Sequence, residues 1–281
     1  MMGNEWIVLG MIAGFLGLMI IGIPVAIALA VSGFVAGYIG FGPMLFNLMP
    51  ARLFGVVSNY TLLAIPLFTF MGVMLEKSRV AEDMLDTIGT AMGGLKGGMG
   101  LAIVLVGVLM GASTGIVGAT VVTVGLLTLP TLMKRGYAPS VACGTICASG
   151  TLGQIIPPSL VLILLSDIMG ESVGTLFAAA LIPGLVLAGI YCAYLILLGM
   201  FMPKLVPAVP LEERQKINKA ELRRKLIRDV LPPVLLVFAV LGSIVGGVAA
   251  PTEAASMGAL GALLIAVGFG RMNMQLLKDT M

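Results

Sequence analysis

The stretch that decides the fold is Ser149–Ser159, SGTLGQIIPPS, which holds two glycines and two adjacent prolines. The residues on both sides of it are apolar enough to lie in a membrane. Proline removes a backbone N–H and clashes with the preceding helical turn, and glycine raises the entropic cost of helix formation. We therefore expect residues 139–167 to form a transmembrane helix that is broken in its middle.

The composition of the chain is that of a membrane protein with several spans. Of its 281 residues, 59% are hydrophobic and 10% are charged, whereas a soluble domain carries about 25% charged residues. The sequence contains no histidine, which excludes histidine metal ligands, general bases and proton relays. Without histidine or a convincing pair of acids inside a span, an intramembrane enzyme is not expected. The three cysteines, Cys143, Cys147 and Cys192, are interpreted as small packing residues.

The apolar segments divide into spans of about 20 residues. Residues 6–40 are too long for one span, and they form either two short helices divided near Gly22 and Pro24 or one long tilted helix. The charged residues of 76–90 indicate a surface loop or an interfacial helix. Further spans are predicted at 53–75, 172–202, 231–250 and 253–270.

A second interrupted segment comes before the broken helix. Residues 101–133 are apolar except for the small and polar residues GASTG at 111–115. Two short apolar arms around such a tip indicate a re-entrant hairpin, because non-helical backbone at membrane depth must be buried in protein or line a cavity. Glycines within 93–100 are candidate hinges at the base of this hairpin.

The basic residues predict which side of the membrane each loop occupies. Eight of the sixteen lysines and arginines lie between Lys204 and Arg228. The positive-inside rule therefore places the connector 203–229 in the cytoplasm, with an amphipathic helix over 211–228. Lys134 and Arg135 fall on the same side, so the hairpin tip around Ser113 would enter from the cytoplasm.

The two interruptions have the chemistry of an ion site. A broken helix leaves free carbonyls at the end of one half and free N–H groups at the start of the other, and the free carbonyls attract a cation. Hydroxyl and carbonyl oxygens suit sodium, which needs no carboxylate. The alternative is that both interruptions are ordinary kinks and packing glycines. Of the acids, Glu253 is expected to cap a helix and Asp167 to be interfacial.

Three segments of the chain resemble a known family. They are GASTGIVGATVVTVGLLTLPTLMKRGYAPSVACGTICASGTLGQIIPPSLVLI (111–163), NYTLLAIPLFTFMGVML (59–75) and PTEAASMGALGALL (251–264). All three are similar to the large membrane subunit of tripartite ATP-independent periplasmic (TRAP) transporters. The resemblance runs over most of the chain, and the combination of the hairpin with GTLGQIIPPS is specific.

The resemblance implies an all-α polytopic membrane protein of the inverted-repeat, elevator type, with a re-entrant hairpin and a discontinuous transmembrane helix. It implies a sodium-driven permease in the bacterial inner membrane, surrounded by lipid, with Na⁺ as coupling ion and no other cofactor. Its expected partners are a small membrane subunit and a periplasmic protein that delivers a small organic acid or related solute. No nucleic acid is expected.

The resemblance also implies a sodium site between the hairpin tip and the broken helix. The implied ligands are Ser113 and Thr114 in the tip, with backbone carbonyls of Gly150, Gly153, Ile156 and Pro158 in the break. Asn59, Thr151 and Gln154 are the candidates for the substrate path.

The chain departs from the family pattern in its second half. A second hairpin and a second broken helix are not found before Met281, so mainly the first repeat is expected. The expected division is 1–92 for N-terminal scaffold helices, 93–170 for the hairpin and broken helix, 171–230 for a span and connector, and 231–281 for the start of the second repeat. Two alternatives remain, namely an ion-coupled organic-anion carrier without a binding protein and a non-functional fragment of the permease.

Overall fold

The computed structural model of the chain describes residues 3–114, 117–209 and 219–280. Its regular structure in these residues is helical throughout, which confirms the all-α prediction. The chain divides into two compact units, Met1–Asn59 and Tyr60–Met281.

The first unit is a helical hairpin followed by a third helix. Its helices are α1 (Gly3–Ile20), α2 (Val25–Phe41) and α3 (Leu45–Val57). Gly22, with φ +90°, and Pro24 form the turn between α1 and α2, so residues 6–40 form two helices rather than one. A Cβ at Gly40 would lie 3.8 Å from Ile7 Cδ1, and this contact between opposite helix ends makes α1 and α2 antiparallel.

The second unit begins with two helices that differ in character, α4 (Ala64–Lys77) and α5 (Val80–Met92). The predicted span 53–75 is wrong at its start, because the chain turns at Ser58 and Asn59 and the apolar helical segment runs from Tyr60 to Lys77. Of the two alternatives predicted for 76–90, the structure has the helix, α5, which is amphipathic and buries one face.

The middle of the second unit contains the hairpin and the broken helix. Its helices are α6 (Gly98–Thr114), α7 (Val117–Lys134), α8 (Pro139–Thr151), α9 (Leu160–Met169) and α10 (Val173–Phe201). The interruption between α8 and α9 confirms the break expected in 139–167, and α10 matches the span expected over 172–202.

The last helices of the second unit pack against its first helices. The remaining helices are α11 (Lys219–Lys225), α12 (Leu231–Val245), α13 (Pro251–Gly268) and α14 (Met274–Thr280), with a π-helical turn at Leu226–Val230 joining α11 to α12. Of the predicted amphipathic helix 211–228, residues 211–218 lie outside the described residues, and residues 219–228 are helical as expected.

The core of the second unit includes the interface between α4 and α13. The buried face of α13 consists of alanine and glycine, and Gly258 lies against α4, where an added Cβ would be 2.7 Å from Met71 Sδ. Small residues let membrane helices approach closely. Beyond α13, Arg271 forms a two-pronged ion pair with Asp83 of α5, at 2.9 and 3.0 Å, and its guanidinium donates to the Ser78 carbonyl at 2.8 Å.

Within the described residues, five helical segments are long and apolar enough to cross a membrane. They are Val25–Val57, Tyr60–Lys77, Val173–Phe201, Ala220–Val245 and Pro251–Gly268. This finding confirms a polytopic membrane protein.

Candidate ion and substrate site

The break between α8 and α9 leaves two carbonyls without a helical donor. In a continuous helix, the carbonyls of Gly153 and Gln154 would accept from residues 157 and 158, which are both proline and have no N–H. The N–H of Ile156 donates instead to Leu152 O at 2.9 Å. The Gln154 carbonyl accepts instead from the Ser159 hydroxyl at 2.7 Å. The position of the usual helical donor to the Gly153 carbonyl is taken by Pro157, which has no N–H.

The first arm of the hairpin packs directly on the break. A Cβ at Gly107 would lie 2.7 Å from Ser149 Cβ, and a Cβ at Gly111 would lie 2.3 Å from Gly153 Cα. From the first contact to the second, each chain segment advances by four residues, about one helical turn. Helices α6 and α8 therefore run parallel. The C-terminal ends of both helices therefore lie at the same end of the site.

The second arm of the hairpin packs on another side of α8. A Cβ at Gly150 would lie 2.3 Å from Val121 Cγ2, and one at Gly125 would lie 3.6 Å from Ile146 Cγ2. Because these contacts run in opposite directions along the two helices, α7 is antiparallel to α8. The two arms thus hold α8 between them, with glycine at the closest contacts.

The predicted hairpin tip begins later than the sequence indicates. Helix α6 continues through Thr114, so residues 111–114 are helical and Ser113 and Thr114 lie in its last turn. The side chains of these two residues, and all of Gly115, are outside the described part of the chain. The last four carbonyls of a helix have no intrahelical partner and carry partial negative charge, which favours a cation near this end.

The predicted residues of the break fall into a buried set and an exposed set. The buried ones are Gly150, Gly153, Ile156 and Pro158. The side chains of Thr151 and Gln154 are exposed on the same break, and the Thr151 hydroxyl donates to Ala148 O at 2.8 Å. Asn59, the third predicted residue of the substrate path, belongs to the first compact unit.

Two buried serines flank the break and were missing from the predicted site. Ser149 and Ser159 are both fully buried, and their hydroxyls donate to Ile146 O at 3.0 Å and to Gln154 O at 2.7 Å. Each hydroxyl oxygen retains lone pairs after donating its proton. The position of Ser159 directly after two prolines was the available signal, because it is the next residue able to satisfy a freed carbonyl.

Helix α10 contacts the break and the base of the hairpin. A Cβ at Gly184 would lie 2.8 Å from Ile156 Cγ1, and one at Gly199 would lie 2.5 Å from the Lys96 carbonyl oxygen. Since Gly184 lies near the break and Gly199 near the start of α6, α10 runs antiparallel to α6.

The acidic residues Glu253, Asp167 and Glu171 lie outside the break between α8 and α9. Glu253 accepts a hydrogen bond from the Ala250 N–H at 2.8 Å, as expected for a helix-capping carboxylate. Asp167 and Glu171 line a polar surface pocket with Thr61 and Ser172. In the described residues, no cluster of three or more cysteine, aspartate or glutamate side chains is placed to hold a metal ion.

The fold and the site define a polytopic α-helical membrane protein in which a helical hairpin holds a discontinuous helix. The chain belongs to the family described as "Tripartite ATP-independent periplasmic transporter, DctM component", whose sequence model matches residues 12–281.

Relatives with established names extend this comparison. The C4-dicarboxylate TRAP transporter large permease protein DctM of Vibrio cholerae is 31% identical over 258 residues, which are 89% of this chain and 54% of the relative. The protein of the same name from Pseudomonas aeruginosa is 34% identical over 229 residues, covering 81% of this chain and 51% of the relative. The ectoine TRAP transporter large permease protein TeaC of Halomonas elongata is 29% identical over 256 residues, which are 91% of this chain and 58% of the relative. The chain spans about half the length of the curated relatives it matches.

Proposed function

We propose that this chain forms part of the permease of a sodium-coupled secondary transporter in the bacterial inner membrane. It imports a small organic acid or a related solute that a periplasmic binding protein delivers. The observation that carries the proposal is the parallel packing of α6 on α8, with the C-terminal ends of both helices beside Gly153, whose carbonyl loses its helical donor to Pro157.

The proposed sodium site lies where these two helix ends meet. Carbonyls at a helix C-terminus and in an unwound segment are favourable ligands for a monovalent cation. The Gly153 carbonyl supplies one such oxygen, and the last turn of α6, with Ser113 and Thr114, supplies others. Carbonyls of Gly150, Ile156 and Pro158 complete the proposed ligand set. The burial of these break residues excludes competing water.

The proposed substrate path runs along the exposed side of the same break. Thr151 and Gln154 present a hydroxyl and an amide there. The Gln154 amide can donate to a carboxylate, and the Thr151 hydroxyl can do so by exchanging its bond to Ala148 O for one to the substrate. A sodium ion bound on the buried side of the break would add positive charge beside Thr151 and Gln154, which are both neutral. Asn59 offers the same amide chemistry, and its role in the substrate path stays a prediction from the sequence.

The substrate class rests on the relatives. Their names specify C4-dicarboxylates, ectoine, sialic acid and isethionate as transported solutes. The first three carry a carboxylate and isethionate carries a sulfonate, so an acidic group is what they share. The dependence on a small membrane subunit and a binding protein is proposed from the family name, which describes a tripartite system.

The proposed motion treats the hairpin and the broken helix as one body. Their glycine contacts leave no room for the two to slide past each other, which supports joint movement. We propose that they move against a scaffold containing 6–40, α10 and the basic connector. A cysteine cross-link between the hairpin base and α10, made in a background without the three native cysteines, should block transport. Transport that survives such a cross-link would contradict this motion.

The test is uptake into proteoliposomes that contain the chain and its two proposed partners. Uptake is measured with and without a sodium gradient, for the wild type, Ser113→Ala and the control Ser256→Ala. Ser256 is exposed, and its hydroxyl donates to Thr252 O within α13, far along the chain from the proposed ligands. We expect sodium-dependent uptake that Ser113→Ala weakens and Ser256→Ala leaves unchanged.

Two other outcomes would overturn parts of the proposal. Uptake that is equal with and without sodium would exclude the coupling mechanism. Uptake that needs no binding protein would assign the chain to an independent ion-coupled carrier.

A further inference from the structure

A cluster of arginines lies at the junction between the basic connector and the membrane. Ala220, Arg223, Arg224, Ile227 and Arg228 line one surface pocket of about 350 Å³. Their spacing of three, four, seven and eight residues places them on one helix face. All five are exposed.

Within the described residues, no carboxylate forms an ion pair with these three arginines. Glu221 pairs with Lys225 at 3.7 Å, and Asp229 accepts from the Thr87 hydroxyl of α5 at 2.9 Å. Arg228 lies over the Phe269 ring at 5.7 Å, a contact that holds its position without cancelling its charge. Within the described residues, the pocket therefore carries three positive charges on its outer face.

The arginine face continues into an exposed apolar stripe. The π-helical turn at Leu226–Val230 joins α11 to α12 without a break, and Leu231, Leu235 and Phe238 are 44%, 56% and 65% exposed. The opposite face of α12, with Val237 and Val240, is buried. A charged patch at the top of an exposed apolar stripe matches the two chemical parts of a phospholipid.

The length of this surface also fits one lipid. Ten residues separate Arg228 from Phe238, which is about 15 Å of helix. The hydrocarbon core of a bilayer is about 30 Å thick, so 15 Å is the depth of one leaflet.

We propose that this face binds an anionic phospholipid, with its phosphate at Arg223, Arg224 and Arg228 and an acyl chain along Leu231, Leu235 and Phe238. Arginine suits a phosphate because its planar guanidinium can donate two parallel hydrogen bonds. Basic residues next to a transmembrane helix attract anionic lipid even without a shaped pocket. This site is independent of the proposed sodium coupling.

The experiment measures phospholipid retained by the purified chain in mixed micelles, using native mass spectrometry. The probes are the anionic phosphatidylglycerol and the zwitterionic phosphatidylcholine. We expect the wild type to prefer phosphatidylglycerol, and each arginine-to-glutamine substitution to weaken that preference roughly five-fold. A control variant, Arg52→Gln/Lys204→Gln/Lys278→Gln, removes the same charge from exposed positions elsewhere and should keep the preference.

Several outcomes would overturn the proposal. One is an unchanged preference in Arg223→Gln/Arg224→Gln/Arg228→Gln, and another is an equal loss in the control variant. Displacement of the lipid by soluble glycerophosphoglycerol would show that the acyl stripe contributes nothing. Displacement by the small membrane subunit would assign the face to a protein partner. The single variants provide the answer if the triple variant does not fold.

Discussion

Gly111 of α6 and Gly153 of the break cross so closely that a Cβ on either residue would lie within 2.3 Å of the other's Cα. No side chain can occupy either position without separating the two backbones. This contact fixes the hairpin to the broken helix at the end where both helices terminate.

Replacing Gly153 with alanine should therefore destabilise the protein. We expect a loss of about 1–3 kcal/mol or more, because overpacking a fitted interface forces backbone shifts. The measurement is the thermal unfolding midpoint in detergent. Gly144→Ala is the matched control, since Gly144 lies in α8 with nothing within 4 Å of an added Cβ. Equal midpoints for the two variants would refute the close contact.

Removing the Ser159 hydroxyl should also lower the stability of the protein. Ser159→Ala removes the donor to the Gln154 carbonyl, and the loss of such a partly buried hydrogen bond costs about 0.5–1.5 kcal/mol. The exposed Ser256→Ala serves as control and should change the unfolding midpoint little. A stability as high as that of the wild type would mean that another donor replaces Ser159.

The pair between Arg271 and Asp83 should show measurable coupling in a double-mutant cycle. Two charge-assisted hydrogen bonds at 2.9 and 3.0 Å, between partly buried groups, predict about 1 kcal/mol of interaction. The comparison pair, Lys225 with Glu221, is exposed at 3.7 Å and should give less than about 0.5 kcal/mol. Equal coupling in the two cycles would contradict the difference in geometry.

Asp86 of α5 should make stability depend on pH. Partial burial, followed by the charge of Asp83, raises the pKa of Asp86 above its usual value of 3.8. The folded protein therefore binds this proton more readily than the unfolded chain, and stability from this group falls as pH rises through the raised pKa. Asp86→Asn should be more stable than the wild type at neutral pH by less than about 0.5 kcal/mol.

The pH profile of that difference is the decisive measurement for Asp86. The gain should shrink as pH falls through the raised pKa toward 3.8, because the wild-type carboxyl then becomes neutral as well. High salt should also reduce it, since screening weakens repulsion by Asp83. A gain that grows toward acidic pH would reverse the assigned sign.

Local chemistry in the sequence predicted most of the membrane architecture. The break at 150–158 follows from Pro157 and Pro158, which cannot donate to the carbonyls four residues earlier. The division of residues 6–40 remained open because a glycine two residues before a proline permits either a kink or a turn. The positive φ of Gly22 and the contact between Gly40 and Ile7 settle it in favour of a turn.

The sequence was less informative where packing decides the outcome. Helix α6 continues through Ser113 and Thr114, although small polar residues favour a helix end, because Gly107 and Gly111 give it a tight partner in α8. Glycines spaced by four were visible in the sequence, but which of them contact another helix depends on tertiary structure. The sodium ligands and the substrate path stay predictions.

The pairing of α4 with α13 means that α4 is synthesised well before the helix that covers it. Arg271 contacts the Ser78 carbonyl across 193 residues of chain, and at about 5–20 residues per second the ribosome needs roughly 10–40 s to synthesise that interval. Met71 and Met74, which become fully buried, have no α13 to cover them during this time. The nascent protein must therefore shelter α4 in the translocon, with lipid or against its own later helices until Pro251–Gly268 is inserted.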